Sequence, residues 1–328
     1  MSFLENKSVL ITGGTGSFGK AFVARVLKDD KIRRLIVFSR DELKQFEMAD
    51  SINSPKLRFF LGDVRDYQRL IQATEGVDVI VHAAAMKQIP ASEYNPMEAV
   101  KTNILGAENI VNVAIRNGVE RVIALSTDKA ANPANLYGAT KLCSDRIMIA
   151  GNTLAGRKGT KFACVRYGNV LGSRGSVIPF FVEKAKSGFI PITDERMTRF
   201  WLTIEQGVQF VLDSLDRMHG GEIFVPKIPS FKVTDVARVV CPGVPTRVIG
   251  IRPGEKLHEV MITEDDSYNT VEAETFYAIL SPSLKSSGLY ERAASPVTEG
   301  FRFSSENNRI WFTDQTFRDT LIKSGIIK

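Results

Sequence analysis

Residues Ser8-Val9-Leu10-Ile11-Thr12 run directly into Gly13-Gly14-Thr15-Gly16-Ser17-Phe18-Gly19, and Lys20 to Leu27 carry on with helical spacing. A short, largely apolar run of this kind predicts a strand buried on both faces. Gly13, Gly16 and Gly19 recur at three-residue intervals. Glycine there permits a tight turn from strand to helix and lets backbone N–H groups approach a pyrophosphate at the helix N-terminus. Between the first strand and first helix of a βαβ unit, such a turn points to a dinucleotide. Gly14 to Lys20 also fits the core of a nucleoside-triphosphate loop, but Ala21 stands where that loop needs a hydroxyl for Mg²⁺.

Further apolar runs follow at Arg34 to Phe38, Leu57 to Leu61, Val77 to Val81, Arg121 to Leu125 and Phe162 to Arg166. Helical patterns separate them, for example from Ala99 to Ile115. The alternation predicts an α/β fold, a Rossmann-like doubly wound parallel sheet with right-handed crossovers. Beyond residue 170, Gly and Pro become frequent and the pattern turns irregular. Residues 1–170, rejoined by about 200–226, read as the dinucleotide-binding domain. Residues 171–199 and 227–328 read as a smaller, irregular α/β C-terminal lobe that takes the substrate. The polar stretch from Ser281 to Asn308 reads as exposed.

Composition narrows the partners. Across 328 residues, 43 Lys+Arg oppose 37 Asp+Glu, a net charge of +6 that suits nucleic acid, an anionic surface or a phosphorylated small molecule. The cations are dispersed without interleaved aromatic residues, so no nucleic-acid partner is expected. Lys31-Ile32-Arg33-Arg34 is the densest basic patch. No stretch reaches the roughly 18 apolar residues of a membrane span, so no membrane partner is expected either. Cys143, Cys164 and Cys241 form no CxxC pair, which fits a reducing cytoplasm, and the N-terminus lacks the layout of a signal peptide. His82, His219 and His258 have no metal-ligand spacing, so no metal is expected.

The second predicted strand selects the cofactor. It ends Val37-Phe38-Ser39-Arg40, with Lys44 one turn further on, where an NAD enzyme usually carries an acidic residue for the ribose. A hydroxyl and two cations suit a 2′-phosphate, so NADP is predicted. Asp63, after the third strand, is placed to accept from the adenine amino group or to cap a helix. Further on, Tyr137 and Lys141 stand at i and i+4, on one helix face. A neighbouring ammonium favours phenolate, which makes Tyr137 a base for an alcohol, and the same Lys141 can hold the nicotinamide ribose.

With Thr12-Gly13-Gly14-Thr15-Gly16-Ser17-Phe18-Gly19, His82-Ala83-Ala84-Ala85, Ser126-Thr127-Asp128-Lys129 and Tyr137-Gly138-Ala139-Thr140-Lys141, the chain resembles the extended short-chain dehydrogenase/reductases. The likeness covers essentially its whole length. Nucleotide-sugar 4,6-dehydratases of that family carry Thr-Asp-Glu where Thr127-Asp128-Lys129 stands here. Lys129 in place of Glu, with Ala84 to Pro90 and Arg166-Tyr167-Gly168-Asn169-Val170, is similar to the C5-inverting UDP-N-acetylglucosamine 4,6-dehydratases of bacterial pseudaminic acid synthesis, which serves flagellin glycosylation in some bacteria.

That resemblance implies cofactor contacts at Thr15, Ser17, Phe18, Val64, Ala83, Ala84 and Ala85 besides the glycines. It implies substrate contacts at Lys87, Tyr167, Asn169, Val177, Arg199, Arg252 and Glu255, with UDP-N-acetylglucosamine as the substrate. It also implies a homo-oligomer, a dimer or a hexamer. Thr127, Asp128 and Lys129 join Tyr137 and Lys141 as catalytic residues. Lys129, its pKa lowered by surrounding cations, is expected to take the C5 proton, and protonated Asp128 to release the C6 hydroxyl as water. A 4-epimerase or a C5-retaining dehydratase is the nearest alternative, but an epimerase leaves Asp128 and Lys129 without a task. A non-catalytic dinucleotide-sensing or RNA-binding protein would not need the Tyr137–Lys141 pair.

Overall fold

The computed structural model describes residues 3–29, 31–172, 176–291 and 294–327. Among the described residues, seven strands of the main sheet pair in parallel: β1 (Ser8–Thr12), β2 (Arg34–Ser39), β3 (Leu57–Leu61), β4 (Val79–His82), β5 (Arg121–Leu125), β6 (Lys161–Val165) and β7 (Glu222–Pro226). Their order across the sheet is 3-2-1-4-5-6-7. Every residue of β1 is buried, as a strand covered on both faces requires. The Rossmann-like fold predicted from the alternation is the fold observed.

Three strands that the sequence did not announce extend this sheet beyond β7. They are β8 (Thr270–Glu272), β9 (Phe276–Leu280) and β10 (Ser295–Pro296), all antiparallel to their neighbours, and they bring the sheet to ten strands. The long helical pattern after Thr203 forms α4 (Ile204–Arg217), after α1 (Ser17–Asp29), α2 (Glu42–Ser51) and α3 (Leu136–Ala155). Val208, Val211, Leu212 and Leu215 make the buried stripe of α4, which packs on α1, and a Thr203–Gln206 capping box starts it.

A second core forms apart from the main sheet. Trp201, Phe231, Val236, Phe317 and Leu321 belong to it, with Ile190 and Ile192. A small sheet of residues Asn169–Val170, Thr198–Leu202 and Ser230–Lys232 backs this core. The stretch from Ser281 to Asn308 is exposed over much of its described length, as expected, but its end is buried. Phe303–Ser304 pairs with Val260–Ile262, and Ser304 and Ser305 are fully buried. Asn308 Nδ2 donates to Ile228 O at 2.8 Å and to Ser230 Oγ at 3.0 Å. Polar residues are buried here because hydrogen bonds replace the water they give up. Among the described residues no helix is long and apolar enough to cross a membrane.

The strand order reverses at β1, which lies between β2 and β4. In doubly wound sheets the crevice outside the carboxyl ends of the strands at such a point is where ligands bind. Both the glycine turn and Ala83 to Ala85 leave the sheet there.

Candidate active site

One hydroxyl joins the two strand ends at the reversal. Thr12 Oγ1 accepts from the backbone N–H groups of Ala83 and Ala84, each at 3.1 Å, and lies 2.9 Å from His82 Nδ1. With two donors already aimed at the oxygen, its proton goes to Nδ1, so His82 is the neutral Nε2–H tautomer. Burial, reinforced by the Lys141 charge, lowers the His82 pKa to about 3. Gly13 has φ +65°, and a Cβ on it would lie 2.9 Å from Ala84 N. A Cβ on Gly19 would lie 2.3 Å from Gly14 O. Only bare backbone permits this close approach, and it leaves the exposed Gly16, with Ser17 and Phe18, at the N-terminus of α1. Thr15 is buried beneath the turn. The cradle fits a dinucleotide pyrophosphate.

At the end of β2 the predicted cations are not equivalent. Lys44 pairs with Asp41, whose Oδ1 also accepts the Lys44 backbone N–H at 3.0 Å and caps α2. Arg40 is exposed, and the Asp63 carboxylate stands 3.5 Å from it. Asp63 is held instead by Arg65, through the backbone N–H at 2.9 Å and Nη2 at 2.7 Å. Burial opposes ionisation of Asp63, but the Arg65 hydrogen bonds and charge prevail and hold the carboxyl low. The cap of the following helix is Asp66, not Asp63. Ser39 Oγ accepts from Gln45 Nε2 at 3.0 Å, and the same amide reaches Ser39 O and Phe60 O, a stitch no motif signalled. Val64 is buried against Gly106.

After β5, Thr127 caps a single turn, Asp128–Ala130. Asp128 Oδ1 accepts from Thr127 Oγ1 at 2.9 Å and from Lys129 Nζ at 3.0 Å, while Oδ2 is buried with no hydrogen-bond partner among the described residues. On its other side Lys129 Nζ lies 3.3 Å from Glu259 Oε1. Burial pushes the Asp128 carboxyl up against the pull of Lys129, and Glu259 adds to the rise. Burial also works to lower the Lys129 pKa, but Asp128 and Glu259 outweigh it and raise the ammonium above its usual range. This corrects the expectation that surrounding cations would lower it: two carboxylates dominate the electrostatics of Lys129. Burial raises the Tyr137 phenol to about 12, with the Lys129 charge acting the other way, so Tyr137 is a neutral phenol at rest. Lys141 is buried, which lowers its pKa, and Asp145 partly restores it. Asp145, one turn beyond Lys141 on α3, accepts from Ser126 Oγ at 2.6 Å and pairs with the buried Arg166 at 3.4 Å.

A cavity of about 590 Å³ opens beside this turn. Lys129, Asn169, Val177, Arg199, Arg252 and Glu255 all line it, as the resemblance implied. Lys87 and Tyr167 are not among its lining residues. Lys87 is exposed beyond β4, although nearby protein lowers its pKa by desolvation. Tyr167 is buried, and its carbonyl accepts the Asp128 N–H at 3.1 Å, so it supports the turn from behind. The Arg199 guanidinium is engaged by the carbonyls of Thr198 at 2.7 Å, Lys256 at 2.9 Å and Leu257 at 3.1 Å, which makes it a frame for the wall. Arg252 lies 3.9 Å from Glu255. Their loop docks on the start of α3, where Asn135 Nδ2 donates to Gly254 O at 2.8 Å and Lys256 Nζ to Ala131 O at 2.8 Å. Among the described residues no cluster of His, Cys, Asp and Glu could hold a metal.

A family model described as polysaccharide biosynthesis protein matches residues 9–281. The chain belongs to this family, within the extended short-chain dehydrogenase/reductases. Its relatives include a UDP-N-acetylglucosamine 4,6-dehydratase (inverting) of Campylobacter jejuni, 54% identical over 95% of this chain and 96% of that one. The X-ray structure of Pen from Bacillus thuringiensis superposes with a TM-score of 0.91 at 35% identity, over 99% of this chain and 100% of the other. DesIV, a dTDP-glucose 4,6-dehydratase of Streptomyces venezuelae solved with NAD and TYD bound, gives a TM-score of 0.69 at 25% identity, over 76% and 86% of the two chains. In this member of the dehydrogenase/reductase family, Gln45, Asp145, Lys256 and Glu259 complete the site without any local signal in the sequence.

The neutral His82 sets a pH dependence. In the unfolded chain it protonates near pH 6.5, whereas in the fold it does so only near 3. A depressed folded pKa means its contribution is complete above about pH 6.5 and declines as pH falls below that value. Denaturant unfolding of His82→Asn, an amide that still accepts from Thr12, should show a shallower fall in stability between about pH 6.5 and 4 than the wild-type chain. Parallel curves for the two proteins would contradict the assignment.

Proposed function

We propose that this chain is a UDP-N-acetylglucosamine 4,6-dehydratase that inverts C5, a hydro-lyase working with NADP. Its product is then UDP-2-acetamido-2,6-dideoxy-β-L-arabino-hexos-4-ulose. The observation that carries the reading is the Asp128–Lys129 pair, joined at 3.0 Å, with Lys129 on the cavity wall and its charge acting on Tyr137. The inverting dehydratase relative, which matches 95% of the chain, supports it. We further propose that the enzyme opens pseudaminic acid synthesis for flagellin or surface glycosylation, in the cytoplasm and as a homo-oligomer.

The glycine cradle, Ser39 and Arg40 would hold the dinucleotide, which when bound would supply a reversible hydride acceptor between C4 and C6. Tyr137, once its phenol proton has passed to solvent, takes the C4 hydroxyl proton as a phenolate. Burial resists its ionisation, and the Lys129 charge and a hydrogen bond from Thr127 act against that resistance. The resulting ketone acidifies the C5 proton. One proton shared between Lys129 Nζ and Asp128 Oδ1 then serves both ends of the elimination. When it resides on Asp128, Lys129 is a free amine that takes the C5 proton. The Asp128 carboxyl hands its own proton to the C6 hydroxyl, which leaves as water, and C5 is reprotonated from the opposite face by a solvent-derived proton as hydride reaches C6. A 4-epimerase needs only Tyr137 and Lys141, and leaves the buried Asp128 carboxyl and its partner idle.

Incubation with UDP-N-acetylglucosamine in D₂O should yield a product lighter by one water and carrying deuterium at C5. Lys129→Ala should slow that product by about 100-fold or more, the usual scale for a lost acid–base group. An isomer of unchanged mass would replace the dehydratase by an epimerase. For the cofactor, Arg40→Ala should weaken NADP binding by on the order of tenfold and leave NAD binding unchanged, as loss of a charge-assisted contact predicts. An undiminished preference for NADP would sink that assignment.

A further inference from the structure

We infer that Glu259 is a positioning residue for the elimination step: it clamps the Lys129 amine between two carboxylates and sets the proton affinity with which Lys129 acts on C5. The inference rests on the dehydratase reading and deepens it. Glu259 is 2% exposed, so its charge is largely removed from water. Three cations converge on its carboxylate: Lys129 Nζ at 3.3 Å, Arg199 Nε at 3.7 Å and Lys256 Nζ at 3.8 Å. Breaking such a buried set is costly, because removal of one member leaves the others uncompensated.

The clamp is mounted on rigid backbone. Glu259 N–H donates to Ser305 Oγ at 3.0 Å, and Ser305 N–H donates to Glu259 O at 2.8 Å. Thr198 Oγ1 lies 2.7 Å from the same Ser305 oxygen. The adjoining strand Val260–Ile262 is paired with Phe303–Ser304. Arg199 cannot swing away, since its other N–H groups are held by three carbonyls. Lys256 Nζ is held in turn by Ala131 O at 2.8 Å, and Glu259 defines where the Lys129 amine returns once Asp128 has taken the shared proton. The charged and titratable groups facing Lys129 are Asp128, Glu259, Arg199, Lys256 and Tyr137. Of these, only Asp128 and Glu259 are carboxylates.

The reactive pair carries one shared proton, so the acidic limb of the kcat–pH profile reports a second proton entering the Asp128–Lys129 pair, and the Glu259 charge raises the proton affinity of both members. Glu259→Gln keeps the shape and removes the charge. It should move that limb toward acid by about one pH unit and lower the maximal rate of water loss on the order of tenfold, since a weaker base is a slower one. KM should stay within about threefold, and reduction of the bound dinucleotide in the first turnover should persist while deuterium entry at C5 slows. Glu259→Asp, which keeps the charge, should leave the limb near its wild-type position. Lys256→Met removes a competing cation and should move the limb the opposite way, toward base, which tests the same claim should the Gln variant fail to fold. An unmoved limb in both Gln and Met variants overturns the inference, as does equal loss of C4 oxidation and C5 exchange in Glu259→Gln. A wild-type chain that removes no water overturns the dehydratase reading and the inference together; a wild-type chain that does, with variants that fail as above, overturns the inference alone.

Discussion

Glu259 meets three cations in a place that water scarcely reaches, and the arrangement of the site follows from how that charge is satisfied. One cation, Lys129, comes from the turn after β5; the others, Arg199 and Lys256, come from the chain beyond the parallel sheet's first six strands. A buried carboxylate is tolerable only when its partners are held in place, so the turn, the strand Thr198–Leu202 and the loop before Val260 must come to the same point. Arg199 anchors the loop by its carbonyls, Lys256 reaches back to Ala131, and Asn135 grips Gly254. The cavity wall and the Asp128–Ala130 turn are thus one electrostatic unit.

The other half of the site depends on the order reversal at β1. Thr12 draws the backbone of Ala83 and Ala84 toward the glycine turn, and Gly13 can accept that proximity because it has no side chain. The glycine turn and the Asp128–Lys129 turn then stand at the carboxyl ends of β1 and β5, with β4 between them. β4 and β5 are adjacent, so the residues after each face the same crevice. Lys141 and Asp145 lie on α3 behind them, and Arg166 closes the buried pair from β6's end. The fold supplies positions, and the charges at those positions supply the chemistry.

Legibility in the sequence followed the range of the interactions. The β1 run, the three glycines and the Tyr137–Lys141 spacing are local patterns, and each corresponds to a local element of the structure. β8 and β10 were silent because runs of three and two residues carry no periodicity, and their pairing with β9 and β8 is a tertiary event. Ser304, Ser305 and Asn308 looked like surface because polarity alone does not reveal hydrogen-bond partners supplied from Thr198, Ile228 and Ser230. Lys129 was legible as a residue and misread as a charge state. Its second carboxylate is far away in the chain, and counting nearby cations gave the wrong sign. Asp63 was legible as a polar residue at a strand end, but Arg65 and Asp66 decide what it does.

In the proposed reaction one site oxidises C4, eliminates across C5 and C6, and returns the same hydrogen to C6. UDP-N-acetylglucosamine labelled with deuterium at C4 tests this directly, with the product read by NMR. Deuterium should appear in the C6 methyl group of a product that has lost one water. Deuterium found back at C4, or washed out into solvent, would contradict it.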